Sequence, residues 1–198
     1  MFCYQCEQTA GGKGCAKMGV CGKDPQVAAL QDLLVHGAKG LAQYATRARK
    51  HGVVDKEVDR IVTDALFMTV TNVNFDPKDL EVTLRDLGKL KDKAKTLYEE
   101  AAQKAGEEVA QLSGPAEWTP ADTLDGLVKQ GEEVGITARR EKLGDDVAGL
   151  QELLTYGVKG TAAYLHHAIA LGKDDADVHG YFLEALDFLT SEKGTVVD

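Results

Sequence analysis

The four cysteines of this 198-residue chain, Cys3, Cys6, Cys15 and Cys21, all lie in its first 21 residues. A secreted disulfide scaffold distributes its cysteines along the chain to join distant loops, and this sequence does not. Thiolates are also preferred ligands of zinc and of iron–sulfur clusters. Four thiols in so short a segment therefore predict a metal-binding loop.

The spacing of these cysteines, C-x2-C-x8-C-x5-C, bears on the kind of metal. Structural zinc sites usually pair two C-x2-C units or include histidine, and the first histidine here is His36. The bacterial ferredoxin run, with its closing proline, is absent as well. An irregular loop of four thiolates favours an iron–sulfur cluster, whose irons lie at the corners of an extended body. A zinc site and free thiols remain as alternatives.

The residues between the cysteines are compatible with a redox cluster. Glycines let the backbone approach inorganic sulfur and donate N–H groups to it. Lysines would offset the negative charge of a thiolate cluster, and apolar side chains would shield it from water. A flexible loop without a cofactor would contain similar residues. The three sets are Gly11, Gly12, Gly14, Gly19 and Gly22; Lys13, Lys17 and Lys23; and Phe2, Tyr4, Met18 and Val20.

The pattern after Cys21 is helical. Asp24-Pro25 and Asp76-Pro77 each place a capping carboxylate before a proline, as at many helix starts. Apolar residues at three- and four-residue steps predict helices over 25–50, 55–71, 78–105 and 175–189. Thr119 with Asp122 resembles a capping box, so a short helix is expected to about residue 129, followed by a polar loop to residue 143.

An internal repeat relates the two halves of the chain. Residues 27–44 align without gaps on residues 147–164, and eleven of the 18 positions are identical. Both copies keep a Gly-x-x-Gly pair in mid-helix, which costs roughly 1 kcal/mol per glycine relative to alanine. Its presence in both copies predicts close helix–helix packing at this position, with the approach of a ligand as the alternative.

These elements predict an all-α fold in which a cysteine-rich loop precedes two repeated three-helix bundles. The expected units are the cluster-binding loop 1–23, a first bundle 24–112, a linker with a short helix 113–143, and a second bundle 144–198. The second bundle lacks its third helix, which should begin near residue 190. Its exposed apolar faces would need a partner.

Composition excludes several classes of protein. The 23 Lys and Arg against 32 Asp and Glu give a net charge of −9, which argues against nucleic-acid or polybasic membrane binding. No apolar run is long enough to span a membrane, and the N-terminus has no signal-peptide pattern, so a cytoplasmic location is expected. The histidines form no zinc or hydrolase motif; His36 is interpreted as a packing residue and Trp118 as a local hydrophobic anchor.

The N-terminal string MFCYQCEQTAGGKGCAKMGVCGK resembles the start of the hybrid-cluster proteins, also called hydroxylamine reductases or prismane proteins. LQDLL and LQELLTYGVKGTAAYLHHA are similar to the two helical bundles of that family. The resemblance extends over the whole chain, which matches only the N-terminal domain of the longer family members. It identifies the family's four N-terminal cluster ligands with Cys3, Cys6, Cys15 and Cys21.

The resemblance implies a [4Fe–4S] cluster, because the spacing is that of the family's strictly anaerobic members; relatives from facultative organisms carry [2Fe–2S]. The family's hybrid Fe–S–O cluster takes its ligands from downstream domains that this chain does not contain. The implied function is an electron-transfer module, without turnover of its own, that passes electrons from an unidentified donor protein to the hybrid cluster. There, small N–O species are reduced, either hydroxylamine to ammonia or nitric oxide.

Two other interpretations remain. In the first, the four cysteines bind zinc and the helices dock a partner, which predicts a colourless, redox-silent interaction module. In the second, the chain is a carbon monoxide dehydrogenase-like relative with a similar helical architecture, although the N-terminal cysteine pattern of that family differs.

Overall fold

The computed structural model describes residues 1–191, and this part of the chain is all-α, as predicted. A single backbone bridge between Cys3 and Cys15 is the only β-type pairing among these residues. None of the described helices is both long and apolar enough to cross a membrane. The third helix expected near residue 190 falls largely outside the described residues. The helices are α1 (Pro25–Lys50), α2 (Lys56–Met68), α3 (Pro77–Ala105), α4 (Leu124–Val134), α5 (Ile136–Leu143), α6 (Asp145–Ala170) and α7 (Ala176–Phe188), with short 3-10 turns at Ala10–Gly12 and Gly114–Glu117.

The predicted capping signals before α1 and α3 are confirmed. The side chain of Asp24 accepts a hydrogen bond from the backbone N–H of Val27 at 2.8 Å, and Asp76 accepts one from Lys78 at 2.9 Å. These bonds satisfy donors that the first turn of a helix leaves without partners.

The region between the two repeats differs from the prediction. Thr123, rather than Thr119, caps α4, and its hydroxyl accepts from the N–H of Gly126 at 3.1 Å. The expected polar loop to residue 143 is instead the end of α4 followed by α5. Most residues of α5 are good helix formers, and the helix stops at Gly144, whose φ is +82°.

Helix α1 lies at the centre of the molecule and packs against α2, α3, α4 and α7. Its leucines at 30, 33, 34 and 41 are fully buried. A Cβ added at Gly37 would lie 2.7 Å from the Trp118 ring, and one at Gly40 would lie 2.0 Å from the carbonyl oxygen of Pro115. The predicted close packing at the Gly-x-x-Gly pair is therefore confirmed in the first copy, and Trp118 is the expected buried anchor.

Helix α6 carries the second copy and packs against α2, α5 and α7. Here the prediction of close packing is wrong, because a Cβ added at Gly157 or Gly160 would meet no atom within 4 Å. In α1 this space is filled by α3 and by the segment around Pro115. No described element takes that place against α6, and Leu153 is 68% exposed.

One hydrophobic core joins the two repeats. Helix α7 follows the second copy and packs against both α1 and α2, with Phe182 and Leu186 fully buried. The apolar contacts of α7 cross from the second predicted bundle to the first. The boundaries assigned to the two bundles from the sequence remain predictions.

Candidate metal centre

The N-terminal loop brings its four cysteines to one cavity. Cys3, Cys6, Cys15 and Cys21 all line it, together with residues that include Gln5, Thr9, Lys23 and Thr71. The backbones of Cys3 and Cys15 exchange two hydrogen bonds, of 3.1 and 2.8 Å, which hold two distant parts of the loop side by side. Cysteines up to 18 positions apart in sequence thus face a common space.

Cys15 is the buried member of the set, and its sulfur accepts hydrogen bonds. The backbone N–H of Ala10 lies 3.4 Å from its Sγ, and the Thr9 hydroxyl lies 3.8 Å away. Backbone N–H groups of Val20 and Ala10 lower the pKa of the Cys15 thiol. They favour the thiolate, which is the form that binds metals.

The glycines of the loop serve the close approach that the sequence indicated. Gly11 and Gly12 have φ of +60° and +67° in the 3-10 turn Ala10–Gly12. The backbone N–H of Ala10, the first residue of this turn, donates to the Cys15 sulfur. A Cβ added at Gly19 would lie 2.9 Å from the Sγ of Cys21. A side chain at position 19 would therefore press on a cysteine sulfur.

The predicted apolar shield is only partly correct. Met18 and Val20 are 58% and 60% exposed, although Val20 also lines the cavity of the cysteines. Phe2 and Tyr4 are half-buried and meet edge to face, with ring centroids 5.3 Å apart.

The three lysines of the loop are in different environments. Lys13 and Lys17 are exposed, whereas Lys23 is buried and its ammonium lies 5.9 Å from the centroid of the Phe75 ring. Lys23 also lines the cavity of the cysteines, so only this lysine brings positive charge to the cavity wall.

Gln5 anchors the loop to the helices, a role that the sequence did not reveal. Its amide nitrogen donates to the Thr69 carbonyl at 3.2 Å and to the Thr71 hydroxyl at 2.9 Å, just beyond α2. Its amide oxygen accepts from the ammonium of Lys159 in α6 at 2.9 Å. Tyr4 packs edge to face on Tyr156, one turn earlier in α6. The residue types alone contain no signal for these long-range contacts.

A second polar site lies between the two repeats. Asp32, His36 and Lys39 of α1 face Glu152, Thr155 and Lys159 of α6 across a small cavity. Asp32 and Lys39 occupy the same repeat positions as Glu152 and Lys159, so the two copies meet along equivalent faces. Arg139 of α5 also lines this cavity and forms an ion pair of 2.5 Å with Glu152.

Burial controls the titration of this cavity. It raises the pKa of Asp32 to about 6, with a smaller opposing effect of the neighbouring cations. Burial also lowers the pKa of Lys39 to about 7 and that of Lys159 to about 8. The pKa of His36 falls to about 4, so this half-buried side chain is neutral at pH 7. His36 lines this polar cavity, a position that the packing interpretation did not anticipate.

One further group of side chains is linked by hydrogen bonds in the sequence carboxylate, histidine, hydroxyl, as in a hydrolase catalytic triad. Asp174 Oδ1 lies 2.8 Å from Nε2 of His179, and Nδ1 of His179 lies 2.9 Å from the hydroxyl of Thr63. The Thr63 side chain is completely buried, so no substrate reaches it. The three residues instead tie α7 and the turn before it to α2.

The donor set of the loop fits an iron–sulfur cluster in kind, since four thiols share one cavity and N–H groups are directed at sulfur. Across residues 1–191, no three His, Cys, Asp or Glu side chains form a ready-made site for one metal ion.

Comparison with known proteins finds one family model and several relatives that share one name. The Prismane/CO dehydrogenase family model matches residues 1–198. A hydroxylamine reductase of Rhodospirillum rubrum is 51% identical over 96% of this chain, and one of Geobacter sulfurreducens is 50% identical over 94%. A hydroxylamine reductase of Burkholderia ambifaria is 48% identical over 99% of the chain. The aligned regions make up only 34–36% of these relatives, so the chain spans about a third of their length. The sequence match shows that this chain belongs to the Prismane/CO dehydrogenase family.

Proposed function

We propose that this chain is the iron–sulfur electron-transfer part of a hydroxylamine reductase-like hybrid-cluster oxidoreductase. The observation that carries the proposal is the convergence of Cys3, Cys6, Cys15 and Cys21 on one cavity. A [4Fe–4S] cluster held there would take up and release one electron at a time. The relatives named hydroxylamine reductase support this assignment.

The chain's own residues would prepare the site in three ways. The N–H groups around Cys15 favour its thiolate, and the backbone pairing of Cys3 with Cys15 holds two ligands side by side. Gln5 fixes the loop to the helices, so little rearrangement would accompany electron transfer. We propose that the electrons pass to a hybrid cluster in downstream domains, where hydroxylamine is reduced to ammonia or nitric oxide is reduced. The electron donor would be a separate protein.

The test is iron and acid-labile sulfide analysis of the anaerobically purified chain, with visible and EPR spectra. About four iron and four sulfide per chain, with a broad band near roughly 400 nm that bleaches on reduction, are expected. Cys15→Ser should lose the iron, whereas Met18→Ala, a change at an exposed residue of the same loop, should keep it. The chain should be re-oxidised reversibly and should not consume hydroxylamine.

About one zinc per chain, no sulfide and no colour would contradict the proposal. That result would support the alternative of a zinc-stapled helical interaction module.

We also propose that the exposed face of α6 packs against the part of the polypeptide that the longer relatives have beyond the matched region. Leu150, Leu153 and Tyr164 are exposed on this helix, and both of its mid-helix glycines face open space. Co-expression with the remaining two-thirds of the Rhodospirillum relative should give co-purification. Leu153→Asp should prevent it, and Val82→Asp, at an exposed site on α3, should not. Equal co-purification of the two variants would contradict this docking of the downstream polypeptide on α6.

A further inference from the structure

Lys159 places a buried positive charge beside the cysteine loop. It lies in the middle of α6, is 8% exposed, and donates from its ammonium to the Gln5 side-chain oxygen at 2.9 Å. Gln5 stands between Cys3 and Cys6 in the sequence and lines their cavity. A single amide therefore separates the ammonium of a core helix from the wall of the cysteine cavity.

The orientation of Gln5 is determined at both ends. Its nitrogen donates to the Thr69 carbonyl and the Thr71 hydroxyl, so its oxygen must face the ammonium of Lys159. The ring of Tyr156 lies under that ammonium, 5.8 Å from it, and limits its movement. The charge is thus held at a defined place relative to the loop.

Reduction of a thiolate-ligated cluster adds one negative charge to a site that is already anionic. A fixed positive charge in a buried environment stabilises the reduced form more than the oxidised form, because the attraction grows with the negative charge and is poorly screened. Removing the positive charge should therefore make reduction harder.

We propose that Lys159 is a positioning residue that, through Gln5, raises the reduction potential of the iron–sulfur site in the N-terminal loop. This inference rests on the proposed function, because it requires a cluster at the four cysteines. It assigns to α6 a role in setting the driving force of electron transfer.

The internal repeat supplies a matched control. Lys39 is the equivalent residue of α1 and is 6% exposed. It lines the same inter-repeat cavity as Lys159, and neither lysine lines the cavity of the cysteines. Of the two, it is Lys159 that donates to Gln5, which does line that cavity. Lys39→Gln makes the same substitution at the same repeat position without removing a contact to the loop.

The experiment is an EPR-monitored redox titration of the 198-residue chain with its cluster loaded. At the wild-type midpoint, Lys159→Gln should lower the ratio of reduced to oxidised cluster by about tenfold, which for one electron is a shift of about 59 mV to more negative potential. Lys39→Gln should shift the midpoint by less than half as much. Lys159→Arg, which keeps the charge, should stay close to wild type.

Three results would overturn the inference: a fully loaded Lys159→Gln chain with an unchanged midpoint, an equal shift in Lys39→Gln, or a shift in Lys159→Arg as large as in Lys159→Gln. The last would indicate a purely structural role. If Lys159→Gln does not take up iron, Lys159→Met, which keeps the apolar stem without a buried amide, serves in its place. Wild-type chain without iron and sulfide would instead refute the proposed function, so the two failures are distinguishable.

Discussion

The two copies of the internal repeat are identical at eleven of 18 positions but have very different surroundings. In α1, Leu30 and Leu33 are completely buried, whereas their equivalents in α6, Leu150 and Leu153, are 47% and 68% exposed. Tyr44 is 7% exposed and its equivalent Tyr164 is 81% exposed. One copy is enclosed by neighbouring helices, and the other presents the same residue types to solvent.

The faces that the two copies share are equally informative. Ala28, Ala42, Ala148 and Ala162 are buried in both helices, and Lys39 and Lys159 both line the cavity between the repeats. The repeated sequence thus encodes two faces. One face is buried within the described chain in both copies, and the other is buried only where α3 and the segment around Pro115 lie against it.

The largest contrast is expected from removing equivalent leucines. Leu33→Ala should lower the free energy of unfolding by about 2–5 kcal/mol, because it leaves a cavity in the core. Leu153→Ala should change it by about 0.5 kcal/mol or less, since the side chain is largely in solvent. Urea unfolding followed by circular dichroism measures both. Similar losses in the two variants would show that α6 is covered in the isolated chain.

Equivalent glycines should respond with opposite signs. Gly40→Ala should destabilise the chain by about 1–3 kcal/mol, because the new methyl group would collide with the Pro115 backbone. Gly160→Ala should stabilise it by about 0.5–1 kcal/mol, since the helix gains a better helix former in open space. Thermal unfolding of the two variants checks the signs, and stabilisation by Gly40→Ala would contradict the packing of α1.

The two carboxylates of the inter-repeat cavity should also differ. The folded chain holds the Asp32 proton up to about pH 6, while the unfolded chain releases it near pH 3.8. The buried carboxylate therefore opposes folding increasingly as the pH rises from 3.8, and fully above about pH 6. Asp32→Asn should therefore raise the free energy of unfolding by about 1–2 kcal/mol at pH 7 and leave it unchanged at pH 3.

Glu152→Gln is the matched change in α6. It should lower the free energy of unfolding by about 1–2 kcal/mol at pH 7, because it removes the ion-pair partner of Arg139. Urea unfolding at pH 3 and pH 7 separates the two carboxylates. Stabilisation by both substitutions at pH 7 would indicate that the ion pair of Arg139 with Glu152 does not stabilise the folded chain.

The smallest contrast concerns the helix starts. Asp24→Ala should cost about 1 kcal/mol, because the Asp24 side chain caps α1. Helix α6 begins at Asp145, and its N-cap residue, Gly144, provides no side-chain cap. Asp145→Ala should cost no more than about 0.5 kcal/mol, since its ion pair with Arg140 is exposed. Thermal unfolding resolves the difference, and equal costs would mean that the Asp24 cap contributes little.

Much of this molecule was predictable from local sequence. The capping aspartates before α1 and α3, the apolar stripes and the cysteine cluster each act over a few residues, so residue type and spacing identified them. The misplaced start of α4 arose because two local signals competed. Thr119 and Thr123 both precede a possible helix start, and only Thr123 is followed directly by the amphipathic run of α4.

The sequence by itself determined that the chain is helical, that it contains a repeat and that four thiols are grouped at one end. Only the tertiary structure decided which copy of the repeat is enclosed, because burial depends on neighbours such as α3 and Pro115 that lie far away in sequence. It also decided that Lys159 reaches Gln5 across 154 positions. A long-range contact of this kind depends on how the helices pack, and no periodicity within either segment encodes it.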